Sequence, residues 1–205
     1  MKKIVFSCAV VTICYLTACN NNTPSTSSTT DSTQQVTDTT SQEAPKGLVY
    51  ETGTPDNKLS LKVSTDGESA TAPNLSIIGM KDGKPALQDS IRESDPVAQV
   101  FNGKVGKAGT LFFIATKSGG SGSYGNLFGY QPGVKGWKKL PALPELEKTT
   151  GAQYMGHDTF YISHNFLVRE FPLYKADDTN ATPTGGKMVI QYDLSPGLQW
   201  KVAKR

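Results

Sequence analysis

The chain has 205 residues, of which 37% are hydrophobic, 19% charged and 9% aromatic, and this length suits one domain with extensions. Its 21 Lys and Arg residues against 18 Asp and Glu residues leave a formal net charge of +3, which argues against a nucleic-acid binder, since such proteins usually carry a clustered basic face. No apolar run reaches the ~18 residues of a transmembrane helix, and the glycines and prolines follow no fibrous period.

The first nineteen residues differ from the rest of the chain in charge and polarity. Lys2 and Lys3 form a positive region, residues 4–15 are apolar, and the sequence Leu-Thr-Ala-Cys at residues 16–19 ends the segment. This ending resembles a lipobox. We therefore predict a signal peptide at residues 1–18 and a lipid on the thiol of Cys19. A secreted chain with an unmodified cysteine is the alternative.

Cysteine usage follows from that cleavage. Cys8 and Cys14 fall within the predicted signal peptide, so Cys19 is the only cysteine left in the mature chain. We expect no disulfide, no thiolate nucleophile and no cysteine metal site there.

The next segment changes composition sharply. Thirteen of the 27 residues at 20–46 are Ser or Thr, and Val36 is the only large apolar one. Such a segment buries too little surface to offset its ordering entropy. Residues 19–46 are therefore predicted to be the lipidated cysteine and a disordered tether, and residues 47–205 to be a β-rich domain.

Short runs of alternating apolar and polar residues, separated by Gly, Pro, Asn and Asp, fill this domain. Such alternation is typical of half-buried strands. Asp66-Gly67 and Asp82-Gly83 are expected turns, the second in a hairpin. The run at residues 110–116 is apolar enough for a central strand. Nine strands are expected, at residues 59–63, 75–80, 97–101, 110–116, 124–130, 159–163, 166–174, 187–194 and 199–202.

Helical periodicity is nearly absent from the domain. Only residues 144–149 are predicted to be helical, over one or two turns. About eight to nine short strands with at most one short helix indicate an all-β fold, either an antiparallel β-sandwich or a small barrel.

A nine-residue segment at residues 118–126 lies between two predicted strands and contains four glycines. A hairpin needs only about two to five loop residues, so the surplus length favours an exposed loop that presents hydroxyl groups and the ring of Tyr124. Tyrosine is a favoured interface residue because it brings a large contact area at low rotamer entropy. An ordinary flexible hairpin loop is the alternative.

Catalytic and metal-binding patterns are weak. Ser121 lacks the Gly-x-Ser-x-Gly context of a nucleophile elbow, and the adjacent His157 and Asp158 would point to opposite faces of a strand. His157 and His164 lack His-Glu-x-x-His spacing, and residues 177–180 lack the glycine and glutamate of a calcium loop. We predict no enzymatic activity, no metal and no cofactor. A hydrolase using Ser121, His157 and Asp158 is the third hypothesis.

Four segments of the C-terminal half occur in a suggestive order: Gly-Gly-Ser-Gly-Ser-Tyr-Gly at 119–125, Tyr-Met-Gly-His-Asp at 154–158, Leu-Val-Arg-Glu-Phe-Pro-Leu-Tyr at 167–174 and Thr-Pro-Thr-Gly-Gly at 182–186. Together they resemble the periplasmic i-type lysozyme inhibitor family and its lipoprotein relatives. The resemblance covers residues 97–194 and leaves residues 47–96 without a counterpart.

The resemblance implies a β-rich domain that inserts a loop into the substrate cleft of a lysozyme. In that family a Ser-Gly-x-Tyr sequence is the inhibitory element. Ser121, Gly122 and Tyr124 match it, and the resemblance gives Ser121 and Tyr124 the contacts with the enzyme.

The predicted function is therefore that of a bacterial envelope lipoprotein, anchored to the outer membrane on its periplasmic or surface face, which binds and inhibits a lysozyme. The expected partners are a lysozyme, suspected to be i-type, and the membrane that holds the lipid of Cys19. No nucleic-acid partner is expected, and a homodimer is left open. The alternative is a non-catalytic glycan- or peptide-binding module of the envelope.

Overall fold

A computed structural model of the chain describes residues 47–204. The predicted signal peptide, the lipidated Cys19 and the tether at residues 19–46 lie outside the described residues and stay predictions. Within the described range, twelve strands form three antiparallel sheets of four strands each.

The three sheets follow one another along the chain. The N-terminal sheet contains β1 (Val49–Gly53), β2 (Leu59–Thr65), β3 (Leu75–Lys81) and β4 (Lys84–Ile91). The middle sheet contains β5 (Val97–Val105), β6 (Gly109–Lys117), β7 (Gly125–Gln131) and β8 (Lys138–Lys139). The C-terminal sheet contains β9 (Thr159–Ser163), β10 (Phe166–Pro172), β11 (Lys187–Ser195) and β12 (Gln199–Lys204). Each strand pairs with its neighbours in the chain, so every sheet is a meander.

The middle sheet is buried on both faces, and β6 shows this most directly. Phe112 and Ile114 pack in one hydrophobic core with residues of the N-terminal sheet. Leu111 and Phe113 pack in a second core with residues of the C-terminal sheet. Because successive side chains of a strand point to opposite faces, the three sheets are stacked with the middle sheet between the other two.

The all-β antiparallel prediction is confirmed, with two differences in detail. The sheets are stacked in three layers and none closes into a barrel. All nine predicted strands are present, and the structure adds β1, β4 and β8. Pro85 conceals β4 in the sequence, since proline in a sheet is confined to edges and bulges. Here it lies on the edge strand, next to a shift of register between Gly79 and Met80.

The Asp82-Gly83 turn is also confirmed. Asp82 and Gly83 have φ angles of 49° and 74° and join β3 to β4. Two consecutive positive φ values are characteristic of a type I′ turn, whose twist matches that of the flanking strands.

The helix predicted at residues 144–149 is wrong. One turn of α-helix occurs later, at Lys148–Gly151, and residues 140–147 have no regular structure. Leu143 and Leu146 in that segment pack against the second core. Tertiary packing of an extended segment therefore overrides its local helical preference.

Replacing Phe113 by alanine should strongly destabilise the domain. Its ring is fully buried and stacks on Phe101 with 5.1 Å between ring centroids. We expect the free energy of unfolding, measured by urea denaturation, to fall by about 3–5 kcal/mol. Val134→Ala is the control, because Val134 is 95% exposed and its truncation should change the free energy by less than about 0.5 kcal/mol. Equal effects of the two variants would contradict the assignment of Phe113 to a packed core.

Candidate functional site

The connection between β6 and β7, residues 118–124, is here named the β6–β7 loop, and it contains Ser121, Gly122 and Tyr124. Its two ends are tied together. The backbone N–H of Ser118 donates to the carbonyl of Tyr124 at 2.9 Å, and the N–H of Tyr124 donates to the hydroxyl of Ser118 at 3.0 Å. The residues between them therefore project from a closed base.

Tyr124 presents its ring to solvent on a support of further rings. The residue is 46% exposed, and its ring meets that of Tyr154 edge-on with centroids 5.5 Å apart. Tyr154 in turn meets the buried Phe171 edge-on at 4.8 Å. The exposed ring thus stands at the end of an aromatic stack that reaches the second core.

Glycine avoids a steric conflict at two positions, one beneath the loop and one within it. The N–H of His157 donates to the carbonyl of Gly122 at 2.9 Å and to that of Ser123 at 3.2 Å. Gly156 has a φ of 88°, and a side chain there would collide with the Gly122 carbonyl. A side chain at Gly122 would collide with the ring of Tyr124. These contacts explain the glycine within the Ser-Gly-x-Tyr sequence.

Ser121 is exposed at the outer part of the loop. Its hydroxyl oxygen accepts a hydrogen bond of 3.0 Å from the amide of Asn180. Since a hydroxyl can accept and donate at the same time, its proton is left free to donate to a partner. Ser121 is thereby oriented without being consumed by the interaction.

Asn180 lies in the connection between β10 and β11, which is ordered by Asp178. The Asp178 carboxylate accepts hydrogen bonds from the N–H of Lys175 at 2.8 Å and from the N–H of Thr184 at 2.7 Å. These hydrogen bonds lower the pKa of Asp178. The oxygen-rich residues 177–180 therefore serve to shape this connection.

A buried carboxylate, that of Asp158, joins the loop to the sheets. Its Oδ2 accepts from the N–H of Gly125 at 2.8 Å and from the hydroxyl of Tyr154. Its Oδ1 accepts from Nε of Arg169 at 2.7 Å. A second guanidinium nitrogen of Arg169 donates to the Tyr154 hydroxyl at 2.9 Å. We name Tyr154, Asp158 and Arg169 the buried triad.

The electrostatics of the buried triad hold the protons of Tyr154 and Arg169 in place. Burial raises the pKa of the Tyr154 phenol well above its usual range, and the adjacent Asp158 carboxylate raises it further. Burial alone would lower the pKa of Arg169, but the hydrogen bond and charge of Asp158 raise it overall. Tyr154 is therefore neutral and Arg169 positively charged at physiological pH.

The three residues of the hydrolase hypothesis do not form a triad of that kind. Ser121 is hydrogen-bonded to Asn180, and Asp158 to Tyr154, Arg169 and Gly125. The His157 ring stacks on Tyr174 with centroids 6.4 Å apart, and its Nε2 is buried without a hydrogen-bond partner among residues 47–204. A nucleophile–base hydrogen bond is thus lacking in this arrangement.

A groove of about 520 Å³ lies beside the loop, and Tyr124 forms part of its wall. This volume is within the range of about 300–1,000 Å³ that is usual for ligand sites. The rest of the lining comes from β7, from the segment after β8 and from the C-terminal sheet, and includes Leu127, Phe128, Leu143, Glu145 and Arg169.

Sequence patterns give Arg169 no separate role and place Asp158 only in the hydrolase hypothesis, although one available signal relates the two residues. The two predicted strands on either side of residues 164–165 leave a two-residue turn. That turn fixes a register in which Arg169 pairs with Phe160, and side chains two residues apart on a strand share a face. Asp158 lies two residues before Phe160, so this register brings its carboxylate to the guanidinium.

The described residues contain no group of three or more His, Cys, Asp or Glu side chains placed to hold a metal ion. His164 instead lies in the tight turn between β9 and β10, with its Nδ1 2.8 Å from the hydroxyl of Ser163. Between residues 47 and 204 there is also no helix with the length and apolar character needed to cross a bilayer.

Comparison with protein-family models, with curated proteins and with solved structures found no match for this chain. The fold and the site by themselves define an all-β domain that presents an internally braced loop beside a groove.

Gly156→Ala should disturb the seat of the loop. The added methyl group collides with the Gly122 carbonyl in a left-handed backbone conformation, and such strain costs about 1–3 kcal/mol. We expect that loss in the free energy of unfolding, measured by urea denaturation. Gly119→Ala is the matched control, since a methyl group there meets nothing within 4 Å. The seat assigned to Gly156 is wrong if both variants are equally stable.

The buried triad also predicts behaviour at alkaline pH. Because the pKa of Tyr154 is raised in the folded state, its stabilising contribution is complete below the unfolded value of about 10 and declines as the pH rises above it. In the alkaline range the wild type should lose up to about 1.4 kcal/mol per pH unit relative to Tyr154→Phe. Urea denaturation from about pH 8 to about pH 11, on both sides of the unfolded pKa of the tyrosine, measures this difference. Parallel profiles would contradict the coupling.

Proposed function

We propose that the protein is a lipoprotein of the bacterial envelope that binds and inhibits a lysozyme through the β6–β7 loop. The observation that carries this proposal is the exposed pair within one braced loop: the Tyr124 ring, supported by Tyr154, and the Ser121 hydroxyl, oriented by Asn180. The resemblance of residues 121–124 to the Ser-Gly-x-Tyr element supports the choice of partner. The loop enters the active-site cleft of the enzyme.

The chemistry of these two side chains suits a lysozyme cleft. Such a cleft contains two carboxyl groups beside its sugar subsites. Neutral hydroxyl groups donate to carboxylates without bringing a further charge into a buried site. A hydrogen bond to a charged acceptor contributes about 1.5–3 kcal/mol, so Ser121 and Tyr124 together can supply much of the binding energy.

Bracing of the loop lowers the cost of association. Ordering a flexible segment on binding opposes affinity, whereas a loop already held in its bound shape avoids that loss. The tied base, the hydrogen bonds from His157 and the buried triad all act before a partner arrives. Long-range attraction adds little, because residues 47–205 carry 18 basic and 15 acidic residues and many lysozymes are themselves basic.

Inhibition assays against i-, c- and g-type lysozymes test the proposal, using the chain from residue 20 onward, which contains every described strand. We expect one class, the i-type, to be inhibited. Ser121→Ala/Tyr124→Ala should raise the inhibition constant by at least about 100-fold, since two hydrogen bonds to charged acceptors are lost.

Ser90→Ala/Val134→Ala is the matched control, because it removes an exposed hydroxyl and an exposed apolar side chain that belong neither to the loop nor to the groove wall. It should inhibit like the wild type. The proposal fails if no class is inhibited at micromolar protein, or if the loop variant and the control inhibit equally well.

The groove supports a second candidate function, that of a non-catalytic glycan- or peptide-binding module. Its wall combines the Tyr124 ring with the ring of Phe128 and with polar groups, which suits a sugar or a peptide. Sedimentation with insoluble peptidoglycan separates the two functions. An inhibitor binds the enzyme and leaves the polymer unbound, whereas a glycan-binding module cosediments with the polymer.

A further inference from the structure

One edge of β7 is without a neighbouring strand where it passes the groove. β8 pairs with β7 only at Tyr130 and Gln131, and one further hydrogen bond of 2.8 Å runs from the N–H of Leu140 to the carbonyl of Gly129. Residues 125–128 of β7 pair with β6 on their inner edge and with no other strand in the described part of the chain.

The direction of the backbone groups follows from the pairing with β6. The hydrogen bond between Ser118 and Tyr124 fixes the alternation, so residues 125, 127 and 129 direct their N–H and C=O groups away from β6. The Gly125 N–H is bound by Asp158, and the Gly129 carbonyl by Leu140. Between them, the N–H and C=O of Leu127 face the groove, and neither pairs with another backbone group of residues 47–204.

Two prolines keep this edge open. Pro141 and Pro144 stand just beyond β8, and proline cannot donate a backbone hydrogen bond to a neighbouring strand. β8 therefore stops after two residues, and the chain that follows it forms the opposite wall of the groove through Ala142, Leu143 and Glu145.

We infer that the groove receives an extended segment of the inhibited lysozyme, which adds as a strand beside residues 125–128 of β7. This inference rests on the proposed function. Tyr124 belongs both to the loop and to the groove wall, so an enzyme that encloses its ring also covers the groove. A backbone N–H or C=O buried without a partner costs about 1–3 kcal/mol, and an extended segment satisfies both groups of Leu127 at once.

The charges around the groove indicate which side chains this segment carries. Lys139 is paired with Asp89 at 3.1 Å, and Arg169 with Asp158 at 2.7 Å. Glu145 is exposed on the opposite wall and has no ion pair within residues 47–204. A Lys or Arg of the segment therefore faces Glu145, while its apolar side chains lie against Leu127 and Leu143.

Amide hydrogen exchange, measured by NMR on the chain from residue 20 onward, tests the inference directly. The partner is the lysozyme class that the inhibition assays identify, expected to be the i-type. Binding should slow exchange of the Leu127 amide by at least about 100-fold, because a new hydrogen bond protects it. The amides of Asn126 and Phe128 are internal controls, since β6 already protects them.

Two substitutions in the groove wall provide an independent measurement. Ala142→Trp fills the groove, and Glu145→Lys reverses the unpaired charge; each should raise the dissociation constant by about tenfold while leaving the loop unchanged. Ala152→Trp and Glu68→Lys are the matched controls, since both residues are exposed outside the groove, and they should bind like the wild type.

The outcomes separate the two proposals. If the complex forms but the exchange of the Leu127 amide is unchanged, or if the groove variants bind like their controls, strand addition is overturned and inhibition through the loop stands. If no lysozyme class binds the chain, the proposed function is overturned, and strand addition by a lysozyme segment falls with it.

Discussion

Six consecutive side chains of β6, residues 111–116, are buried, and they point alternately to the two faces of the middle sheet. One covering layer cannot remove both faces from water, so two further sheets must pack against this one. Burying a large apolar side chain contributes about 1.5–3 kcal/mol, and Leu111, Phe112, Phe113 and Ile114 are all fully buried. Stacking of the three sheets buries both faces of this strand. It also brings the start of β7 close to the residues that precede β9, where the candidate site lies.

The buried triad connects the packed sheets to the candidate site. Asp158 stands just before β9, and Arg169 is on β10. Asp158 accepts a hydrogen bond from the N–H of Gly125, which is the first residue of β7. A buried ion pair is weak grounds for global stability, because desolvation of both charges opposes their attraction. Its effect here is positional. It fixes the junction between the β6–β7 loop and β7, and the Tyr154 hydroxyl in the same network holds the ring on which Tyr124 rests.

Much of the fold was predictable because the strands alternate in polarity. Alternation marks most of the nine predicted strands, while residues 110–116 stand out by their continuous apolar run, and the type I′ turn at residues 82–83 is encoded by its Asp-Gly pair. β4 is not predicted from the sequence because Pro85 is typical of a strand breaker, although an edge strand tolerates proline. The helix at residues 144–149 was wrong because Leu143 and Leu146 find partners in the second core, which no local pattern reveals. The loop was predictable from its glycines and length. Its supports were not, since they come from segments more than thirty residues away.

The meander order of the strands has a kinetic consequence. Every strand pairs with its neighbour in the chain, so each sheet forms from one continuous stretch, and short sequence separations between contacting residues favour rapid folding. Stacking of the sheets is nonetheless sequential. Leu111 and Phe113 become buried only when the C-terminal sheet, which consists of the last four strands, packs over them. A chain synthesised from its N-terminus therefore passes through a stage in which one face of the middle sheet is covered and the other is apolar and exposed. Incomplete chains would aggregate through that exposed face.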